Sequence, residues 1–241
     1  MFFKKKFPKT WKFLGCFASG LAGYYTYIYL INNQLEIICQ NTLQNKNILK
    51  SVKELNKVYL PSCLLPFRFM EIIYGNTLDS RHKIEYQREI LKAPDGETLA
   101  LDWNHSENLE ESSPIVVFFP GLSGSSASPY IRKGLDELQK KGFRSVVFNP
   151  RGAVIPQKTQ NLFGFKLVYE DLDFLLTHVE SCYPKSNIYF VGFSLGASYG
   201  MRFLSQNQNQ KRVKGMVCIG NPFDVFKAGQ SLNSYKNAIY S

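Results

Sequence analysis

Three short glycine-bearing stretches could hold a reacting centre: Pro120-Gly121-Leu122-Ser123-Gly124, Asn149-Pro150-Arg151-Gly152 and Gly192-Phe193-Ser194-Leu195-Gly196. Each directly follows an apolar run. The last is GxSxG between NIYFV and LGASYGMRFL, so Ser194 falls where a strand would turn sharply into a helix. Such a turn strains the serine backbone and lifts its hydroxyl above the sheet, while Gly192 and Gly196 leave room for neighbouring backbone. A helix beginning at Leu195 also points its free N–H groups and positive dipole end at the same place. The chemistry this suits is attack of a hydroxyl on a carbonyl. The backbone N–H groups of Leu122 and Leu195 would hold the oxyanion that forms, and Ser123, Gly124, Ser125 and Ser126 would keep the loop small. The plainer alternatives are a glycine turn that only packs a helix on a sheet and a loop of small residues. Ser198 and Ser205 stand on the same helix as ordinary comparators.

A serine hydroxyl needs a base. The histidines are His82, His105 and His178, all upstream of Ser194, and none lies among the 47 residues that follow it. His178, beside Leu175, Leu176 and Val179, reads as a helix-surface residue; His82 lies in a connector and His105 in a polar loop. Asp224 in NPFDV suits a helix N-cap better than a catalytic acid. Arg151 could meet an anion or tie loops together by salt bridges. Glu170, Asp171 and Asp173 read as acids near a helix start. Cys16, Cys39, Cys63, Cys182 and Cys218 show no metal-ligand spacing, and Cys218 in GMVCIG reads as a buried small hydrophobe.

The elements that must position these residues are regular from Arg88 onward. REILKAP and ETLALDW flank Asp95-Gly96 as a hairpin, and PIVVFFPG is a continuous apolar run of the kind buried on both faces of a sheet. Helical spacing in YIRKGLDELQKKGF, ended by Gly142, is followed by RSVVFNPRG, KLVYEDLDFLLTHVE, NIYFVGFS, LGASYGMRFLS and VKGMVCIGNP in strand-helix alternation. That order predicts βαβ crossovers and a three-layer α/β sandwich with a mostly parallel sheet. Ligands of such sheets bind beyond the carboxyl ends of the strands, which is where the three glycine stretches fall.

The 241 residues carry a net charge of +10. Lys4, Lys5, Lys6, Lys9 and Lys12 supply half of it, ahead of the uncharged stretch Phe13 to Ile31. This pattern argues against nucleic acid as the partner and predicts a basic leader (1–12), a transmembrane helix (13–31), a connector packed on the core (32–85, with helical spacing in LEIICQNTL) and a partial α/β domain (86–241). No small-x-small cleavage site follows the apolar stretch, so a signal-anchor is expected rather than a cleaved signal peptide. Lysines before the span and none just after it predict a single-pass membrane protein with a cytosolic N-terminus. Asn104-His105-Ser106 is a formal glycosylation sequon on the other side.

Taken in order, YLPSCLLPFRFMEIIYGN, DGETLALDW, PGLSG, FNPRG, YEDLDFLLTHVESCYP, GFSLGA and NPFDVF resemble the α/β-hydrolase superfamily from about Leu60 to Phe226. More narrowly the chain resembles its membrane-anchored branch of acylglycerol lipases, short-chain esterases and a medium-chain phospholipase. The resemblance implies a nucleophile at Ser194, oxyanion donors at Leu122 and Leu195, hydrolysis of carboxylic esters of membrane lipids, and no metal or organic cofactor. Members of this family place the triad acid and histidine after the serine and beyond later strands. The chain is accordingly expected to represent a hydrolase fold lacking its last strands, with the base beyond Ser241. The alternative is a catalytically inactive lipid-binding or scaffold member of the same fold.

Overall fold

The computed structural model describes residues 9–31, 36–57, 75, 83–105, 109–157, 165–206 and 213–232. The chain divides into two compact units, residues 1–74 and 75–241. In the first, α1 spans Lys9–Ile31 and α2 spans Leu43–Ser51, followed by a 3₁₀ turn over Lys53–Asn56. The expected transmembrane helix at 13–31 is not supported. Those residues are helical, but Gly15, Ser19, Gly20, Gly23 and Thr26 dilute the apolar run, and no helix among the described residues is long and apolar enough to cross a membrane. Helical spacing in LEIICQNTL also gives way: residues 36–42 are not helical, because extended Thr42 is the N-cap of α2, its hydroxyl accepting from the Asn45 N–H at 3.1 Å.

In the second unit, β1 (Gln87–Lys92) and β2 (Thr98–Asn104) form the expected hairpin, with Gly96 at φ +85° and the Glu97 N–H donating to Asp95 Oδ1 at 3.1 Å. There follow β3 (Ile115–Phe119), α3 (Pro129–Gln139), β4 (Arg144–Asn149), α4 (Phe165–Cys182), β5 (Ile188–Phe193), α5 (Leu195–Gln206), β6 (Val213–Ile219) and α6 (Val225–Leu232). The strands make one sheet in the order β1-β2-β4-β3-β5-β6, antiparallel at β1-β2-β4 and parallel thereafter.

Period-two alternation divides β3 between two cores. Ile115, Val117 and Phe119 pack with Leu172, Leu175, Leu176 and Val179 of α4 and Phe203 of α5. On the opposite face Val116 and Phe118 pack with Ile131 and Leu135 of α3. All five β3 residues are buried, which is why this run shows no polar alternation. The sheet thus lies between two helical layers, and the carboxyl ends of β3, β4 and β5 share one edge. Gly142 at φ +73° ends α3, the Phe143 N–H reaching back to the Leu138 carbonyl.

Candidate active site

Ser194 occupies the single-residue turn between β5 and α5 at φ +50°, a left-handed backbone that costs a side-chain-bearing residue energy. The turn is locked on both sides. The Ser194 N–H donates to the Ile219 carbonyl of β6 at 2.8 Å, and the Ser194 carbonyl accepts from the Ala197 and Ser198 N–H groups at 3.0 and 3.3 Å, starting the helix at once. A Cβ on Gly192 would fall 2.5 Å from Ala197 Cα, and one on Gly196 would fall 2.4 Å from both the Phe119 and Pro120 carbonyl oxygens. Both positions therefore demand glycine for close backbone approach. Ser194 is exposed and its hydroxyl is unbonded among the described residues, whereas Ser198 donates to Asn221 Oδ1 and Ser205 to the Arg202 carbonyl, each at 2.8 Å.

The loop after β3 lies against this turn: a Cβ on Gly121 would sit 3.2 Å from Ser194 Cβ. Leu122 and Ser123 are exposed at its tip, with Ser123 at φ +58°. Leu122 and Leu195 line one cavity of about 280 Å³, with Pro120, Pro150, Ala153 and Tyr199 among its other walls. Neither the Leu122 nor the Leu195 N–H is given to an acceptor among the described residues. The third stretch contributes Pro150, Arg151, Gly152 and Ala153 to the same cavity.

The two described histidines are elsewhere. His178 bonds Glu89 of β1 through Nε2 at 2.8 Å, and β1 is four strand positions from β5, roughly 19 Å across the sheet. His105 follows Asn104, which pairs with Ser145 at the start of β4, so it stands at the sheet end opposite Ser194. It stacks on Trp103, and burial, then the Arg144 charge, lowers its pKa. His82 lies outside the described residues. Asp224 is an N-cap: its Oδ1 accepts from the Lys227 N–H at 2.9 Å.

A profile of the alpha/beta hydrolase fold family matches residues 114–236. The chain belongs to the α/β-hydrolase fold family. Embryogenesis-associated protein EMB8 of Picea glauca is 30% identical to it over 197 residues, covering 78% of this chain and 43% of that protein. Monoacylglycerol lipase ABHD2 of Danio rerio is 28% identical over 206 residues, covering 81% and 48% respectively. Among solved structures, the Pyrococcus furiosus esterase Pf2001 superposes with a TM-score of 0.52 at 26% identity, over 65% of this chain and 58% of that one. The chain spans about half the length of the curated relatives it matches.

In this member of the α/β-hydrolase fold family the far end of the Leu122 loop is held by a buried polar cluster that the sequence reading missed. The Ser126 N–H donates to Asn149 Oδ1 at 2.8 Å, and the Ser126 hydroxyl donates to Asp102 Oδ2 at 2.5 Å. Asp102, fully buried on β2, also receives Asn149 Nδ2 at 2.9 Å and a bidentate pair from Arg88 at 2.6 and 2.8 Å. Burial opposes its charge, but Arg88, Ser126 and Asn149 together hold the carboxyl below the usual range. The Tyr86 hydroxyl, pushed up to about 12 chiefly by burial, caps the cluster by donating to the Ser126 carbonyl at 2.6 Å. Asn149 lay in one of the three glycine-bearing stretches and Ser126 read only as a small loop residue; Asp102 read only as part of a strand, and Tyr86 carried no local signal.

Arg151 ties loops together. Its guanidinium takes Asp171 through two bonds of 2.7 and 2.5 Å and Asp95 through one of 2.6 Å, with only 4% of the side chain exposed. Its charge is thereby neutralised beside the cavity.

Proposed function

We propose that this protein is a serine hydrolase of carboxylic esters, with fatty-acyl esters of glycerol-based membrane lipids as its substrate class. The observation that carries the reading is that Ser194, exposed and with its hydroxyl unbonded among the described residues, sits in a strained turn against the Gly121 loop, while Leu122 and Leu195, whose N–H groups are also unbonded among those residues, line the adjoining, mainly apolar cavity. Ser194 Oγ attacks the acyl carbonyl carbon, a C–O bond forms, and the carbonyl oxygen becomes an oxyanion held by the two N–H groups. The intermediate collapses by expelling the alcohol, which takes up the proton that Ser194 gave to the base. Water then attacks the acyl-serine, releases the carboxylic acid and restores the hydroxyl. Neither described histidine stands where it could relay these protons. The name monoacylglycerol lipase carried by the Danio rerio relative supports the lipid substrate. Residues 1–31, with five lysines before residue 13 and tyrosines 24, 25, 27 and 29 beyond, are proposed to hold the enzyme at an anionic membrane surface.

The test is hydrolysis of p-nitrophenyl butyrate and a monoacylglycerol by the full-length protein and its Ser194→Ala variant, with a loss of at least about a hundredfold expected. Equal rates would refute the reading. The separation of His105 and His178 from Ser194 favours a second reading, a lipid-binding member of the fold without catalysis. It predicts lipid binding unchanged by Ser194→Ala and no turnover by either protein.

A further inference from the structure

The loop carrying Leu122 and the turn carrying Ser194 follow different strands, β3 and β5, yet one side chain touches both. Tyr130, in the first turn of α3, accepts the Gly121 N–H on its hydroxyl oxygen at 3.1 Å. Its ring lies 4.8 Å from that of Phe193, the residue before Ser194, inclined at 45°. A Cβ on Gly124 would fall 2.3 Å from the same hydroxyl, and the Gly124 N–H donates to the Gly121 carbonyl at 2.9 Å, so the loop is wound tightly round the phenol.

We propose that Tyr130 is the positioning residue of the oxyanion site. By accepting the Gly121 N–H it fixes that peptide, so the next N–H, that of Leu122, is the one the loop presents. By resting on Phe193 it holds this donor at a set distance from Ser194. The proposal rests on the hydrolase reading. Phenylalanine at 130 keeps the ring contact and removes only the acceptor, which separates the two functions of the side chain.

The experiment compares wild type, Tyr130→Phe and Ser194→Ala in the full-length protein. For Tyr130→Phe, kcat on p-nitrophenyl butyrate falls about tenfold while KM stays within about twofold, because a misdirected donor weakens the transition state and not substrate binding. A trifluoromethyl ketone, which mimics the tetrahedral adduct, loses affinity by the same factor as kcat/KM, and butyrate as product inhibitor keeps its affinity. Independently of catalysis, the Gly121 amide exchanges its hydrogen about five- to tenfold faster once its acceptor is gone. Wild-type kcat in Tyr130→Phe beside an inactive Ser194→Ala overturns the proposal and leaves the hydrolase reading standing. Wild-type activity in Ser194→Ala overturns both. If Tyr130→Phe fails to fold, Phe193→Leu carries the test: kcat falls severalfold with Gly121 exchange unchanged, and an unchanged kcat overturns the proposal.

Discussion

Gly196 offers the sharpest test of how the site is held together. A Cβ there would lie 2.4 Å from the carbonyl oxygens of Phe119 and Pro120 and 2.7 Å from the Phe119 carbonyl carbon. These are backbone atoms at the end of a fully buried strand and cannot rotate aside. To reach ordinary van der Waals contact, the start of α5 must retreat from β3 by roughly 1 Å. Alanine at 196 gains about 1 kcal/mol of helix propensity and incurs about 1–3 kcal/mol of overpacking strain, so Gly196→Ala is expected to lose about 0–2 kcal/mol of stability. The functional loss is larger. The same retreat carries the Leu195 N–H away from the Leu122 N–H, and a misplacement of about 1 Å at a reacting centre costs about a hundredfold in kcat. Urea unfolding and ester-hydrolysis kinetics measure the two effects separately. Gly229, inside α6 with nothing within 4 Å of an added Cβ, is the control: Gly229→Ala should stabilise by up to about 1 kcal/mol and leave kcat unchanged. A Gly196→Ala protein as stable and as fast as wild type would refute the argument that backbone contact sets the donor geometry.

Two other perturbations probe the buried charges. Arg151→Met leaves the Asp171 carboxylate buried without its partner and is expected to cost about 3–5 kcal/mol at pH 7 by chemical denaturation, with Arg151→Met/Asp171→Leu recovering most of it. Burial already pushes the Asp171 carboxyl up, so in the single variant it takes a proton as pH falls and the deficit should be smaller at pH 5 than at pH 7. Asp102 behaves oppositely: its pKa in the folded protein is depressed, so its stabilisation is present above the unfolded value of about 3.9 and is lost as pH falls through the folded value. Asp102→Asn, which leaves Arg88 without its charge partner, should cost about 2 kcal/mol at pH 7 and flatten that acid limb of the stability profile.

Much of the frame was legible because the physics was local. PIVVFFPG, RSVVFN and NIYFV form β3, β4 and β5, and Asp95-Gly96 and Gly142 end elements where a positive φ is required. What escaped was set by long-range contact. Nothing near Arg151 in sequence reveals that Asp95 and Asp171, 56 and 20 residues away, neutralise it. Asn104 reads as a sequon, but it is a buried strand residue at 5% exposure, so it offers no surface acceptor in the folded chain. Cys218, expected to be buried, is half-buried because β6 is the outermost strand of the described sheet. Ser126 looked like loop filler and proved to be an anchor, since its role depends on Asp102 and Asn149 from two other strands.

These contacts divide the work of the site in a physically sensible way. An oxyanion donor must be fixed before the reaction, because reorganising it during the reaction would raise the barrier. The Leu122 loop is accordingly pinned at both ends, at Gly121 by Tyr130 and at Ser126 by Asp102 and Asn149, leaving Leu122 and Ser123 exposed between the pins. The Leu195 N–H, the second donor we propose, is fixed differently, by the close backbone approach at Gly192 and Gly196 where the helix start meets the strands. Side-chain pins can be released one at a time, whereas a backbone contact can only be broken by moving the helix. Hence substitutions at Tyr130 or Asp102 should grade the activity, and substitution at Gly196 should shift stability and activity together.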